Sequence, residues 1–251
     1  MIKSYLEGVL KDQPSLLCAL GLEAIKNPVV SVVGAGGKTT TIKRAAEEYR
    51  RKGIPVIVTT TTHMMAENQP WFLLTSSLDE VREILKREGM VWVGRQNESG
   101  KMRAPSSELM HQLLNLGCPV LIEADGARHL PLKIPADHEP VILSETTHVV
   151  NVYGLDALGK TFEEICFRSD IATRLLRKKE TDLVTEEDIV RLAFNNLAGQ
   201  KGVTASMSYQ VVLNKADIPE REAAALAICK FSEKKGKMKL TVTSREGQTQ
   251  K

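Results

Sequence analysis

The sequence predicts an α/β fold in three layers, with a mostly parallel sheet at its centre. Short apolar runs, such as residues 29–33 and 119–123, alternate with longer polar stretches of helical composition along most of the chain. Strands that alternate with helices in this way pair in parallel, because each helix returns the chain to the same end of the sheet. The 42% hydrophobic and 26% charged residues are typical of a globular protein.

The individual elements follow from apolar runs bounded by turn and capping residues. Gly53 ends the first long helix, and Pro219 takes the first position of the last one. Ser77 and Glu80 form a capping box that opens another helix. Residues 126–145 are dense in proline, histidine and charge and are expected to form an ordered loop. In chain order, the predicted elements are strand 29–33, helix 38–52, strands 54–58 and 72–74, helix 77–87, strand 90–93, turn 96–100, helix 106–117, strands 119–123 and 148–152, helices 168–178 and 185–197, strand 210–213, the helix from Pro219 and strand 240–242.

The charge and cysteine patterns exclude several classes of protein. The net charge is +3 without a dense Lys/Arg stripe, so nucleic acid is not an expected partner. No apolar run approaches the roughly 18 residues of a membrane span, and Asp12, Gln13 and Pro14 interrupt the first apolar stretch, so neither a membrane nor a signal peptide is expected. The cysteines form no CxxC pair and no zinc-type cluster, which indicates reduced thiols of a cytoplasmic protein.

The strongest local motif is a glycine-rich loop between the first strand and the first long helix. Glycines in such a loop let backbone N–H groups point at phosphate oxygens, and the helix N-terminus adds its partial positive charge. Lys38 is expected to contact the β- and γ-phosphates as a catalytic residue, and Thr39 to bind Mg²⁺. The predicted nucleotide-binding residues of the loop are Gly34, Ala35, Gly36, Gly37, Lys38, Thr39 and Thr40.

This loop is shorter than the usual P-loop pattern G-x-x-x-x-G-K-[ST]. Val32, not glycine, lies five positions before Gly37, and the first glycine is Gly34. The alternative is a glycine-rich turn that binds nothing, although the strand–loop–helix context favours a phosphate site. We therefore expect residues 28–251 to form a single P-loop-type α/β domain with a P-loop NTPase-like fold.

The first 27 residues are predicted to form a separate helical extension of that domain. Apolar residues recur there at helical spacing in two places, around Leu6 and around Leu16.

Two acidic residues, Glu123 and Asp125, close the strand at 119–123. Residues two apart on a strand share a face, so both carboxylates are expected to project toward the glycine-rich loop. One would bind Mg²⁺, and the other would position an attacking water or a substrate hydroxyl as a catalytic residue. The pattern leaves open which carboxylate does which, and the alternative is an acidic turn that only ends the strand.

The segment Asn214-Lys215-Ala216-Asp217 follows the strand at 210–213 and matches the N-K-x-D pattern of guanine-binding proteins. Asp217 would accept hydrogen bonds from the guanine ring, Asn214 would brace the loop, and the stem of Lys215 would pack on the base. The alternative is an ordinary turn, since Asn and Asp favour turns. The segment 243–245 after the last strand is a weaker expected contact to the base.

Two further segments are predicted to face a substrate. The threonine-rich run 59–64 would place Thr61, Thr62 and His63 beside the glycine-rich loop if the strands are neighbours. The loop 131–140 holds three prolines, which stiffen it, and presents the polar residues Lys133, His138 and Glu139. The alternatives are a β-branched strand end and a solvated connection.

Taken in order, these strings resemble one family. The chain resembles, from about residue 28 to 217, the selenium-dependent hydroxylase accessory proteins known as the YqeC family. The resemblance implies a role in maturing selenium-dependent molybdenum hydroxylases, with the client enzyme or its cofactor-maturation proteins as partners, and it implies no particular reaction. The glycine-rich loop also looks like the shortened loop of the Mur ligases, which supports a phosphate role by analogy of fold. The strings that carry the resemblance are residues 33–40, 59–64, 123–127, 131–140 and 151–159.

Three functions are compatible with these motifs. The first is a Mg²⁺-dependent nucleoside triphosphate hydrolase that favours GTP over ATP, slow on its own because the sequence identifies no arginine for the transferred phosphate. The second is a nucleotide-dependent kinase or ligase acting on a small selenium or pterin-cofactor substrate held by the loop 131–140. The third is a nucleotide-sensing module that binds without turnover.

Overall fold

Seven parallel strands rich in valine and isoleucine form the centre of the protein. In the computed structural model, the described residues are 1–75, 77–96 and 102–244. Their strands are β1 (Ile2–Leu6), β2 (Val9–Asp12), β3 (Val29–Gly34), β4 (Val56–Thr60), β5 (His63–Met64), β6 (Phe72–Leu74), β7 (Met90–Gln96), β8 (Met102–Arg103), β9 (Val120–Glu123), β10 (Leu132–Lys133), β11 (His148–Gly154), β12 (Cys166–Phe167), β13 (Ser208–Asn214) and β14 (Lys239–Thr243). The helices are α1 (Leu16–Ala19), α2 (Lys38–Arg51), α3 (Leu78–Glu88), α4 (Ser107–Leu114), α5 (Phe162–Ile165), α6 (Ser169–Leu176), α7 (Glu186–Ala193) and α8 (Pro219–Glu233), with a 3₁₀ turn at Leu155–Ala157.

The parallel strands lie in the order β14-β13-β11-β3-β9-β4-β7. Short antiparallel strands extend both edges, β1 and β2 beyond β14 and β8 and β5 beyond β7, while β6 adds a parallel pair with β7. The predicted α/β class with a mostly parallel sheet is therefore confirmed.

Helices cover both faces of this sheet. On one face, Ile42 and Tyr49 of α2 pack with Val32, Val58 and Val150 of the strands in one apolar cluster. The other face buries α3 and α4 in a second cluster and α5 to α8 in a third. Two covered faces and the sheet between them give the three predicted layers. Among the helices of the described residues, none is both long and apolar enough to cross a membrane.

The prediction that the first 27 residues are helical is wrong for residues 2–12. They form a β-hairpin whose tip, Glu7-Gly8, has positive φ angles of 53° and 85°, the two-residue turn that suits twisted antiparallel strands. Strand β1 pairs with β14, so the hairpin continues the central sheet. The apolar spacing around Leu6 therefore reflects an edge strand, and the missed signal was a glycine at the second turn position. The domain boundary predicted between residues 27 and 28 stays a prediction.

Helix α1 is the helical part of this N-terminal segment, and it is a single turn. Leu16 and Leu17 are fully buried, and their backbone N–H groups donate to the two carboxylate oxygens of Glu48 on α2, each at 2.9 Å. These bonds satisfy first-turn amides and fix α1 beside α2.

Most other predicted elements are confirmed with shifts of one or two residues at their ends. The predicted loop 126–145 contains one short strand, β10, which pairs in parallel with β12. Of the predicted turn at 96–100, Gln96 ends β7 and residues 97–100 lie outside the described residues.

The fold makes a simple prediction for thiol reactivity. Cys118, Cys166 and Cys229 are buried, and burial raises the pKa of their thiols to about 11, 12 and 12. Cys18 is only partly buried. Because the thiolate is the reactive form, we expect 5,5′-dithiobis(2-nitrobenzoate) to modify one thiol rapidly in the native protein and all four in guanidinium. Rapid modification of a second thiol in the native protein would contradict this arrangement.

Candidate functional site

The candidate site lies at the carboxyl edge of the parallel strands. Strands β3, β9 and β4 are neighbours, and Glu123 pairs in register with Val32 on one side and with Thr60 on the other. On the far side of β3, β11 pairs Val152 with Gly34, and β13 pairs Asn214 with Gly154. The glycine-rich loop, the acidic pair, the threonine run and the N-K-x-D segment therefore meet at one edge, as the sequence predicted.

Hydrogen bonds from backbone N–H groups hold the first residues of the glycine-rich loop in place. The backbone N–H groups of Gly34, Ala35 and Gly36 donate to Asp125 Oδ2, to the carbonyl of Val152 and to the carbonyl of Leu130, at 3.1, 2.8 and 3.1 Å. A Cβ on Gly36, which has a φ of 78°, would lie 2.2 Å from the backbone nitrogen of Gly154, so only glycine fits there.

The free end of the loop is the N-terminus of α2. Its cap residue, Gly37, provides no side chain, and the first turn contains no acidic residue. The backbone N–H groups of Lys38, Thr39 and Thr40 lie in the first turn of α2, where no carbonyl of the helix can accept from them. An anion is favoured at such a helix N-terminus, because these N–H groups point toward it. The amides available to a phosphate are therefore those from about Gly37 to Thr40, a narrower set than the sequence predicted.

Lys38 is almost fully buried at this helix end. Its Nζ donates to the carbonyl of Gly34 at 2.8 Å and forms an ion pair with Asp125 Oδ1 at 3.1 Å. The ammonium group therefore folds back over the loop, with its charge balanced by a carboxylate that a phosphate would have to replace.

Thr39 and Glu123 form the second feature of the site. The Thr39 hydroxyl donates to Glu123 Oε2 at 2.7 Å. Burial raises the pKa of Glu123, and the neighbouring Lys38 and the Thr39 hydroxyl oppose that rise. A hydroxyl and a carboxylate are the hard oxygen ligands that Mg²⁺ uses, together with substrate phosphates and water. Glu123, not Asp125, is thus the carboxylate that touches the predicted magnesium-binding threonine.

Asp125 belongs instead to a buried ion network. Besides Lys38, it contacts Lys133 Nζ at 3.1 Å, and Lys133 contacts Glu139 at 3.0 Å. Arg168 completes the network with Glu139 at 2.8 Å. Burial alone would raise the pKa of Glu139, but Lys133, the Ala136 N–H and Arg168 outweigh it and hold that pKa below its usual value.

Of the predicted substrate residues on the loop 131–140, two reach the site. Lys133, whose side chain has no exposed area, and Glu139 link this loop to Asp125. His138 is exposed to solvent. Through the ion pairs of Lys133, the loop 131–140 helps to hold Asp125 and thereby the glycine-rich loop in place. Its composition did not indicate this role.

The threonine run is used mainly for backbone contacts. The hydroxyls of Thr60 and Thr61 donate to the carbonyls of Glu123 and Val141 at 2.8 and 2.9 Å, and the Thr62 N–H donates to the Thr60 hydroxyl. His63 is exposed on the edge strand β5. These residues fix β9 and the loop after it, and their phosphate-binding role stays a prediction.

Asn214 connects the glycine-rich loop to the last strand. Its side-chain N–H group donates to the Gly36 carbonyl at 2.9 Å, and its carbonyl accepts from the Thr243 hydroxyl at 2.9 Å. Lys215 has a φ of 68° and pairs with Asp156 at 2.6 Å, while Asp217 lies 4.0 Å from Arg221. The bracing role predicted for Asn214 agrees with these contacts.

A cavity of about 370 Å³ opens beside this segment, between α2 and the carboxyl ends of β13 and β14. Its volume is in the range of small-molecule sites. Asp217 is not among the residues that line it, whereas Arg44 and Glu47 of α2 are lining residues that the sequence did not indicate. The lining residues are Leu16, Gly37, Thr40, Thr41, Lys43, Arg44, Glu47, Arg51, Asn214, Lys215, Thr243 and Ser244. Arg245, named in the predicted base contact, lies outside the described residues.

Comparison with known proteins decides the family. A family model described as YqeC protein matches residues 30–170, more than half of the chain. The chain belongs to the YqeC family. A relative, the Escherichia coli K12 protein described as "Uncharacterized protein YqeC", is 36% identical over 154 residues, which cover 59% of this chain and 59% of the relative's length.

The match to the YqeC family covers part of the site. Residues 30–170 include the glycine-rich loop, Glu123, Asp125 and the ion network as far as Arg168. The segment Asn214–Asp217 lies beyond the matched residues, so its interpretation depends on this chain alone.

Proposed function

We propose that this protein binds a nucleoside triphosphate with Mg²⁺ and hydrolyses it. The observation that carries the proposal is the contact of Thr39 with Glu123 at the uncapped N-terminus of α2, beside the buried Lys38. The first turn of α2 thus combines a cation, a hydroxyl and backbone N–H groups, and the carboxylate of Glu123 at the end of β9 contacts that hydroxyl. The same three components hold the phosphates and the metal ion of nucleoside triphosphates in P-loop proteins.

The residues have separate roles in this proposal. The first-turn amides of α2 donate to the phosphate oxygens, and Lys38 turns from Asp125 to the β- and γ-phosphates. Thr39 and Glu123 would hold Mg²⁺, which when bound neutralises part of the phosphate charge. Asp125 remains paired with Lys133, so the site keeps a balanced charge after Lys38 has moved.

In this proposal the base and ribose would occupy the cavity beside Asn214 and Thr243, whose volume of about 370 Å³ supports the placement. We infer a preference for GTP over ATP from the N-K-x-D segment at the rim of this cavity. The hydrogen bonds of Asn214 to the Gly36 carbonyl and the Thr243 hydroxyl, which hold this segment against the glycine-rich loop, support the inference. Asp217 would contact the guanine ring after its carboxylate turns from Arg221 toward the cavity.

Calorimetric titration with GTP and ATP, with and without Mg²⁺, tests the binding. We expect binding that needs Mg²⁺ and is tighter for GTP, followed by release of inorganic phosphate. A phosphorylated or nucleotidylated small molecule as the product would favour a kinase or ligase. Binding without turnover would favour a sensing module, and binding of neither nucleotide would overturn the proposal.

The guanine preference has its own test. Because only guanine offers a ring N–H and an amine to one carboxylate, Asp217→Asn is expected to reduce GTP affinity at least about tenfold. Its ATP affinity is expected to stay the same. The matched control is Asp182→Asn, a surface change outside the cavity. An unchanged ratio of GTP to ATP affinity in Asp217→Asn would show that Asn214–Asp217 is an ordinary turn without a role in guanine recognition.

The cellular role is part of the proposal and rests on the resemblance to the selenium-dependent hydroxylase accessory proteins. We propose that hydrolysis drives a step in the cytoplasmic maturation of a selenium-dependent molybdenum hydroxylase, with that enzyme or its cofactor-maturation proteins as partners. Co-purification of the tagged protein with such a client, dependent on Lys38, tests this role. Equal recovery of the client with a Lys38→Ala variant would contradict it.

A further inference from the structure

A tight turn after Asp125 lies directly on the glycine-rich loop. Asp125 Oδ2 accepts from the Gly34 N–H, and the Leu130 carbonyl accepts from the Gly36 N–H, each at 3.1 Å. A bond from the Leu130 N–H to the Ala127 carbonyl, at 3.0 Å, closes the turn. The two central residues of this turn are therefore fixed relative to the loop that would carry the phosphates.

Those two residues, Arg128 and His129, both have left-handed backbone conformations, with φ angles of 47° and 61°. Such angles are unfavourable for side chains with a Cβ, and they persist where the surrounding contacts impose them, commonly at functional sites. The strained pair directs an arginine to the surface of the turn at a position where glycine would be the usual choice.

Among the described residues, Arg128 differs from the other cations nearby because no carboxylate pairs with it. Lys38 and Lys133 pair with Asp125, and Arg168 pairs with Glu139. The guanidinium of Arg128 is exposed and stacks on the ring of Phe167 at 4.5 Å, and within the described ranges it has no carboxylate partner. A stacked guanidinium keeps its N–H groups available and is readily moved, because a cation–π contact at an exposed site is weak.

We propose that Arg128 is a catalytic residue that contacts the γ-phosphate during hydrolysis. This inference rests on the proposed function and adds to it the arginine that the sequence did not identify. Arg168 is less suited, because its guanidinium is held by Glu139 and by the Ile134 carbonyl. The protein thereby supplies its own positive charge to the transferred group.

The step is a hydrolysis in which water attacks the γ-phosphorus. A bond forms between the water oxygen and phosphorus, and the bond from phosphorus to the β–γ bridging oxygen breaks with its electron pair staying on the nucleoside diphosphate. One water proton stays on the released phosphate, and the other goes to solvent. Arg128 leaves Phe167 and donates to the γ-phosphate oxygens and the bridging oxygen, where negative charge grows.

Single-turnover release of phosphate from Mg²⁺–GTP by the full chain tests this role. An arginine of this kind contributes about 10³-fold or more to the rate, so Arg128→Ala is expected to slow release by about that factor. The dissociation constant for GTP is expected to change less than about threefold, because the contact forms in the transition state. Arg128→Lys restores the charge without the forked N–H groups of the guanidinium, so its rate is expected to lie between those of the wild type and Arg128→Ala. Arg174→Ala, an exposed arginine on α6 paired with Asp170, is the control.

A second readout separates catalysis from structure. GDP with aluminium fluoride mimics the transferred phosphate, and we expect the wild type and Arg174→Ala to bind it and Arg128→Ala to bind GDP alone. If the wild type is active and Arg128→Ala releases phosphate at the same rate, the role of Arg128 is overturned and the proposed function stands. If the wild type binds no nucleotide or releases no phosphate, both the proposed hydrolysis and this role are overturned.

Discussion

Replacing Lys38 with alanine is expected to lower the affinity for GTP by about 100-fold or more while the protein stays folded. Hydrogen bonds to charged groups contribute about 1.5–3 kcal/mol each, and Lys38 lies in the first turn of α2 with its Nζ folded over the glycine-rich loop. The fold survives because Asp125, the partner that Lys38 leaves behind, still contacts Lys133 Nζ at 3.1 Å and the Gly34 N–H at 3.1 Å.

Titration calorimetry with Mg²⁺–GTP measures this loss, and thermal unfolding checks the fold. The matched control is Lys43→Ala on the same helix. Lys43 also lines the cavity, but it is half-exposed and pairs with Glu67 on the surface. We expect its substitution to change the affinity by less than about tenfold. Wild-type affinity in Lys38→Ala would remove the phosphate-binding role of the loop.

The parts of the fold that the sequence predicted are those in which local and tertiary preferences agree. Strand β3, the glycine-rich loop and α2 are each specified within a few residues, by β-branched positions, by glycines that need positive φ, and by an amphipathic helix. The N-terminal hairpin was missed because β1 is stabilised by pairing with β14, some 240 residues away, which the spacing of leucines cannot reveal. Its apolar residues fit a helical spacing as well as an edge strand.

The candidate site divides in the same way. The position of Glu123 beside Thr39 could be predicted, because parallel strands end at a common edge and the acid follows one of them. The pairing of Asp125 with two lysines could not, since Lys133 comes from a loop whose path depends on β10 pairing with β12. The cavity and the turn that carries Arg128 likewise depend on contacts between distant segments, and no spacing in the sequence records them.

The ion network around Lys133 is expected to be the strongest polar contribution to the stability of the site. Lys133 Nζ lies between Asp125 and Glu139, at 3.1 and 3.0 Å, and its side chain is fully buried. Breaking a buried ion pair costs about 3–5 kcal/mol, and the loss here should lie at the lower end of that range because Asp125 keeps Lys38 and Glu139 keeps Arg168. Lys133→Met keeps the length and apolar stem of the side chain, so we expect its free energy of unfolding at pH 7 to fall by about 3 kcal/mol.

The loss depends on pH in a direction that the carboxylate sets. The folded protein holds the pKa of Glu139 below its usual value, so ionised Glu139 stabilises the fold above the unfolded pKa of about 4.3 and this contribution is lost as the pH falls through the lower, folded value. Lys133→Met removes much of the attraction that lowers this pKa. The difference in the free energy of unfolding between the variant and the wild type should therefore be largest near pH 7 and shrink below about pH 4.

Urea unfolding of both proteins at pH 7 and at about pH 3 measures these differences. Lys52→Met is the matched control, because it makes the same substitution in an exposed ion pair with Glu23, where a loss of less than about 1 kcal/mol is expected. If Lys133→Met unfolds within about 1 kcal/mol of the wild type at pH 7, Lys133 does not hold the loop 131–140 in place.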